Sequence, residues 1–413
     1  MPSYISIIVF GICILCLLAY MPIAFKGTAI MSIRLWRNSV KSALLANVVL
    51  FFIITLIFYF SYGFIADDIN YFYYPPTFTN NNLLQFKGNE LLWFIGRSLR
   101  TYFKFDLPAC HILFAAMGFI GSLNFLHIII NRSDFTLKSL YSQNRIAFWT
   151  MLCFPNFVAW GRFFGKDSLM FFLASIFARS AYQLLVSKKS NPWYLFGIII
   201  PLFFINEVRP HVAGALTIAL LLAYIFRLRN LKVTSNVGLA GLVKIYLPLI
   251  AIGIALLAAY MTVVRLTGKQ EVDIESTQQA LISASRMGSY GGSRTTLAEE
   301  LKEDPRLIFS PLQVSINVAN LLFAPMPWKM RGIKDIVALS SNLILIVLLV
   351  RFRRNIRISD TFSQYCLFSL LFLSGILSFM AGNVGLMLRQ KTVILPFLFM
   401  LLFARKSSSE MAK

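Results

Sequence analysis

Between Asn206 and His211 the chain reads NEVRPH, which places a carboxylate (Glu207), a guanidinium (Arg209) and an imidazole (His211) at the lip of an apolar run, VAGALTIALLLAYIF. Polar groups interrupt apolar sequence in the same way at Asp67 and Asp68, at GRFFGKD (Arg162, Lys166, Asp167) and at GNVGLMLRQK (Arg389, Lys391). Cations recessed at a membrane edge would attract an anion whose tail stays in the bilayer, and a lipid-linked diphosphate is the obvious one. Arginine suits it because the guanidinium stays charged when partly desolvated and offers a planar fork to phosphate oxygens. If the diphosphate leaves, Arg209, Arg389, Arg162 and Lys166 stabilise the charge that develops. A base must then take a proton from an attacking hydroxyl, and Asp67, Asp68, Asp167, Glu207 and His211 are the candidates. Arg97, Arg286 and Arg294, on outward loops, complete the expected substrate contacts, with Lys391 beside Arg389.

The elements that must position these groups are apolar helices. Of 413 residues, 58% are hydrophobic, 14% are charged and 39 are Phe, outside the balance of a soluble domain. A spanning helix needs roughly 20 apolar residues. Such segments are expected at 4–24, 43–65, 108–130, 146–160, 168–187, 193–207, 211–227, 245–264, 333–350, 362–381 and 391–405, about eleven in all, within a range of about 10 to 12. The fold class expected is an all-α, polytopic integral membrane protein forming one transmembrane domain over 1–413. The N-terminal run reads as a retained span, because no basic residue precedes it and no small-residue cleavage site follows.

A net charge of +22 does not point to nucleic acid, because the basic residues fall in small clusters between apolar runs. With the N-terminus outside, the inner connections hold 20 Lys or Arg against three acids, Asp134, Asp360 and Glu410. That bias is the one expected for cytoplasmic loops, and it puts each of the polar clusters above at the outer face. Two outward loops are long, 66–106 and 265–334. In the first, a helix is expected from about Asn89; in the second, Thr296 and Glu299 have the spacing of a capping box for a short helix ended by Pro305. At 306–328, Gln313, Asn317 and Asn320 form a polar stripe, so an interfacial or re-entrant helix is preferred there over a crossing.

Less specific readings apply to many of these groups. Lys and Arg at span ends commonly snorkel to the interface. Asp167 can pair with Lys166 or Arg162 and cap the next helix. Arg179, deep in a span, is expected to snorkel toward Lys188. Tyr71, Phe72, Tyr73 and Tyr74 suit stacking on sugars or an interfacial aromatic belt. His111, His127 and His211 do not make a metal set, and no cofactor or metal is expected. The CxxC of Cys13 and Cys16 lies in hydrocarbon, while Cys110, Cys153 and Cys366 read as small core residues.

In these motifs the chain resembles the Wzy-type O-antigen polymerases and the related exopolysaccharide repeat-unit polymerases. The likeness rests on ADDINYFYY, on PNFVAWGRFFGKDSLMFF with its P-x-x-x-x-W followed by KD, on RPH opening the seventh span, on FAPMPW and on GNVGLMLRQKTVILPFL. It implies a multi-pass enzyme of the bacterial inner membrane that takes undecaprenyl-diphosphate-linked oligosaccharides at the periplasmic face. The growing glycan would pass from one lipid carrier to a new lipid-linked repeat unit, with a chain-length regulator as a further partner and no metal. Arg209 and Arg389 match the outward arginines expected to hold the diphosphates, and His211 and the acids follow. GRFFGKD departs from the commoner serine-containing pattern after the Trp.

Three other readings compete. A membrane glycosyltransferase using a polyprenyl-phosphate sugar also places acids in its first outward loop, and an O-antigen ligase would move finished glycan. A flippase for the same lipid-linked glycan would favour related halves and charges at the midplane, whereas here the charges gather at one face and no half-repeat is visible.

Overall fold

From Tyr4 to Ala24 no charged side chain breaks the apolar run, and the segment forms one helix, α1. The computed structural model describes residues 4–24, 42, 45–46, 72, 89–133, 145–186, 193–230, 253, 311–324, 333–378 and 384–403. All regular secondary structure among them is helical. The chain divides into two compact units, Met1–Arg179 with Gly332–Val337 and Leu402–Lys413, and Ser180–Arg331 with Ala338–Leu401.

In the first unit α1 packs on α3 (Leu107–Arg132), with Val9, Cys13 and Ala109 at the interface. Asp106 fixes the start of α3: its carboxylate accepts the N–H of Ala109 at 3.0 Å and the hydroxyl of Ser6 in α1 at 2.5 Å. Satisfying an otherwise orphaned helix donor in this way is the work of an N-cap. Upstream, α2 (Glu90–Tyr102) begins where the sequence places it and leads into a tight turn through Lys104, held at a φ of 55°.

The expected segment 146–160 is two helices, α4 (Arg145–Cys153) and α5 (Pro155–Trp160). The ring of Pro155 pushes the residue before it out of the helical region, and Phe154 is extended, with φ −61° and ψ 125°. Pro155 itself takes the first helical position, where its missing N–H costs nothing. After the loop 161–165 comes α6 (Lys166–Val186).

In the second unit α7 (Trp193–Val208) packs on α8 (Pro210–Asn230), and α8 packs on α11 (Thr361–Ser378), which also takes α9 (Pro311–Phe323). The interfaces are aromatic: Phe226 stacks on Phe368 at 5.8 Å, and Tyr365 meets Phe397 of α12 (Val384–Phe403) edge-on, also at 5.8 Å. Between α9 and α11 in the sequence lies α10 (Ile333–Phe352), ending in a 3₁₀ turn, Arg353–Asn355. Asp360 caps α11 by accepting the N–H of Ser363 at 2.9 Å.

Among the described residues, four helices are long and apolar enough to cross a bilayer: Leu107–Arg132, Lys166–Val186, Pro210–Leu228 and Thr361–Ser378. On α7 the side chains of Phe196, Ile200 and Phe203 are exposed, and on α10 those of Leu343, Val347 and Val350. Apolar faces of that extent suit hydrocarbon better than water. Most of the segments expected at 245–264 and at 43–65 lie outside the described residues, as do Thr296, Glu299 and Pro305.

Candidate functional site

The polar residues of GRFFGKD are positioned by α3. Gly118 lies so close to the loop that a Cβ there would stand 1.9 Å from the carbonyl oxygen of Gly161 and 2.9 Å from Cγ of Arg162. The loop can therefore lie directly on α3, and Arg162, 2% exposed, is buried by it. Its Nη2 donates to the carbonyl of Leu152 at 2.8 Å, and its guanidinium carbon lies 5.5 Å from the centre of the Phe119 ring. Leu152 sits in the last turn of α4, whose hydrogen-bond ladder the break at Phe154 interrupts, so the guanidinium fills the gap that Pro155 creates. No carboxylate pairs with Arg162 among the described residues, and its Nε has no hydrogen-bond partner there. Burial lowers its pKa to about 10, which leaves it a cation at neutral pH.

His111 of α3 holds the other side of the loop: its Nδ1 accepts the N–H of Phe164 at 3.0 Å, and its ring meets Phe163 edge-on at 5.6 Å. The hydroxyl of Ser168 donates to the carbonyls of Phe163 and Gly165. Lys166 and Asp167 then open α6, with the buried Asp167 carboxylate in the first turn, where the helix end favours negative charge. Sequence reasoning missed His111; its only signal was a histidine within an otherwise apolar helix. Replacing it with leucine will strand the buried N–H of Phe164, at a cost of about 1–3 kcal/mol. The thermal midpoint of the purified protein in detergent checks this, and an unchanged midpoint would count against His111 as the anchor of the loop.

In the second unit NEVRPH forms the turn between α7 and α8. The N–H of Arg209 donates to Ile205 at 2.7 Å, and its carbonyl accepts from Val212 at 3.0 Å, so Arg209 closes one helix and opens the next. Pro210 imposes the break. Glu207, Arg209 and His211 are all half-buried and none is without a partner.

Lys391 of α12 is 1% exposed. Its Nζ donates to the carbonyl of Ala324 at 2.9 Å and to Oδ1 of Asn342 at 2.8 Å, while Nδ2 of Asn342 donates to the carbonyl of Phe323 at 2.6 Å. Both carbonyls belong to the C-terminal end of α9, where free acceptors and the helix dipole favour a cation. The expected substrate contact Lys391 is thus turned to α9, with Arg389 half-buried two residues before it. The polar stripe of α9 faces the protein: Gln313 donates to Asn317 at 3.0 Å, Asn317 is fully buried, and Leu312 and Ile316 are exposed.

The first unit thus holds Arg97, exposed on α2, with Arg162, Lys166 and Asp167, and the second holds Glu207, Arg209, His211, Arg389 and Lys391. Asp67, Asp68, Arg286 and Arg294 lie outside the described residues. Two expectations are corrected. Arg179, expected to snorkel toward Lys188, is bonded within the bundle: its Nη1 donates to Oη of Tyr20 at 2.9 Å and to Oδ1 of Asn124 at 2.8 Å. Phe72 is no open stacking platform, being 3% exposed with the Arg100 guanidinium 5.7 Å from its ring centre.

These features define an all-helical class, among the described residues, with four helices able to cross a bilayer and with the cations Arg162 and Lys391 buried. No protein-family model, no curated protein and no solved structure matches the chain.

Proposed function

We propose that the chain polymerises undecaprenyl-diphosphate-linked oligosaccharide repeat units at the periplasmic face of a bacterial inner membrane, spanning it about eleven times. In this reaction a hydroxyl of the acceptor repeat attacks the anomeric carbon of the donor glycan. The bond from that carbon to the diphosphate oxygen breaks, the lipid diphosphate leaves with the electron pair, and a carboxylate or His211 takes the hydroxyl proton. Arg209 and Arg389 hold the diphosphates and stabilise the charge on the leaving group.

The observation that carries this reading is the α7–α8 turn. It sets a guanidinium between an acid and an imidazole, all half-buried, where two apolar helices meet. A diphosphate with a hydrocarbon tail is the anion that such a place at a membrane edge would take. Its acid–base groups suit glycosyl transfer better than passage of the same lipid.

The test is deletion of the gene, followed by restoration with wild type or with Arg209→Ala, and sizing of the surface glycan by gel. Both proteins are first measured in the membrane fraction. A ladder that collapses to single repeats, returns with wild type and stays collapsed with R209A is expected. At a loss of about 3–4 kcal/mol of transition-state stabilisation, the variant keeps under about a hundredth of the activity. A ladder that persists in the deletion, or repeats that accumulate on the inner face alone, would overturn the polymerase reading.

A further inference from the structure

Along α2 the apolar face changes character from one end to the other. Leu92, Gly96, Leu99 and Phe103 recur at i, i+4, i+7 and i+11, with Leu91, Ile95 and Tyr102 beside them, so these residues share one face. At the start that face is covered, Leu92 being 0% and Leu91 7% exposed. Ile95 and Leu99 are half-buried, and at the end Tyr102 is 80% and Phe103 63% exposed. Phe103 keeps helical backbone as the C-cap, so the stripe runs past the edge of its protein cover without turning away.

Where that uncovered end meets the bilayer follows from α3. The N–H of Phe105 donates to the carbonyl of Leu99 at 3.1 Å, the rings of Phe103 and Phe105 meet edge-on at 5.9 Å, and Asp106 caps α3. The end of α2 is thus tied to the start of α3. That helix has 26 residues and is one of those able to cross a bilayer. At 1.5 Å per residue it is about 39 Å long against about 30 Å of hydrocarbon, so with the core centred on it the first turn stands in the headgroup layer. Tyr102 and Phe103 are held at that level, where aromatic side chains collect. Arg97, Arg100 and Lys104 are exposed around the same end. No acid lies between 91 and 105, and the Asp106 carboxylate is engaged by Ala109 and Ser6, so the surroundings are cationic and suit a layer of phosphates.

We infer that the C-terminal end of α2 docks on the phospholipid leaflet at the start of α3, with Tyr102 and Phe103 in the acyl boundary and the cations around them among the phosphates. Lipid is the occupant rather than a second copy for two reasons. The face opens at headgroup depth beside a bilayer-crossing helix, and in a two-fold dimer the same three cations of each copy would be brought together. On the orientation read from the charge bias this is the outer leaflet. The inference does not depend on the polymerase reading.

The experiment places photoreactive p-benzoylphenylalanine in the full chain, in phosphatidylglycerol nanodiscs, at Phe103 in one variant and in another at Thr101, exposed on the opposite face. After irradiation the products are separated by gel and weighed by mass spectrometry. An adduct heavier by one phospholipid is expected at position 103, at least about fivefold more abundant than at 101. If the variant at 103 does not fold, Tyr102 takes the probe with the same expectation. Adding Lys104→Glu should cut the adduct by about half or more. A cross-linked dimer as the main product would mean that a second copy covers the face and overturns the inference. No lipid adduct at 103, or equal adducts at 103 and 101, also overturns it. An adduct unchanged by K104E overturns the phosphate contact of that lysine.

Discussion

Gly118→Ala will lower the thermal midpoint of the purified protein sharply, whereas Gly214→Ala, in α8, will leave it within a degree or two or raise it slightly. The two changes add the same single methyl to a helix. At Gly214 nothing lies within 4 Å of the new carbon, so the gain in helix propensity is all that remains. At Gly118 the new carbon would stand 1.9 Å from the Gly161 carbonyl oxygen and 3.0 Å from its carbon, which are backbone atoms unable to rotate aside. Overpacking against movable side chains typically costs about 1–3 kcal/mol. Here the whole loop must lift off α3, so about 3 kcal/mol or more is expected. The Phe164 N–H bond to His111 and the Arg162 bond to Leu152 depend on that approach and would weaken with it. A G118A protein that melts like G214A would mean the loop is not seated on α3.

How much of this is legible in the sequence varies with the range of the interaction. Helix positions follow from local apolar runs, so the bounds of α1, α3 and α6 lie within a residue or two of the expected segments. The break at Phe154 is readable in principle from Pro155, but 146–160 is largely apolar on both sides of it and its composition hides the change of direction. Arg179 is misplaced by sequence reasoning because sequence offers only near neighbours, while its partners stand 159 and 55 residues away. The stripe of Gln313, Asn317 and Asn320 is visible from its spacing, but periodicity does not say whether a polar face meets water or protein. Among the expected site residues, NEVRPH and GRFFGKD come together because each is one short turn. Whether distant clusters share a site is set by tertiary packing, on which spacing is silent. The inward turn of Lys391 is hidden for the same reason, since its acceptors lie 67 and 49 residues away.

That lysine leads to the other large effect: Asn342→Leu will destabilise the protein by about 3–5 kcal/mol, and adding Lys391→Met to it will restore much of the loss. Alone, the leucine removes one of the two acceptors that Lys391 has and leaves the ammonium on the Ala324 carbonyl by itself. It also removes the donor to Phe323. No carboxylate is near enough among the described residues to take up the charge, and desolvating an ammonium costs several kcal/mol where its partners are incomplete. Methionine fills a similar volume without charge, so in the double variant the cost falls to the unmet carbonyls of Phe323 and Ala324, about 1–3 kcal/mol each. The sign of the second step is decisive. If N342L/K391M melts no higher than N342L, Lys391 is not an ammonium dependent on Asn342, and its role as the cation that closes α9 fails. If it melts higher, α12 reaches across to fix where the chain leaves α9, immediately before the PMPW stretch. Lys391 would then serve the fold at the end of α9, while Arg389 and Arg209 remain the cations proposed to hold the lipid diphosphates.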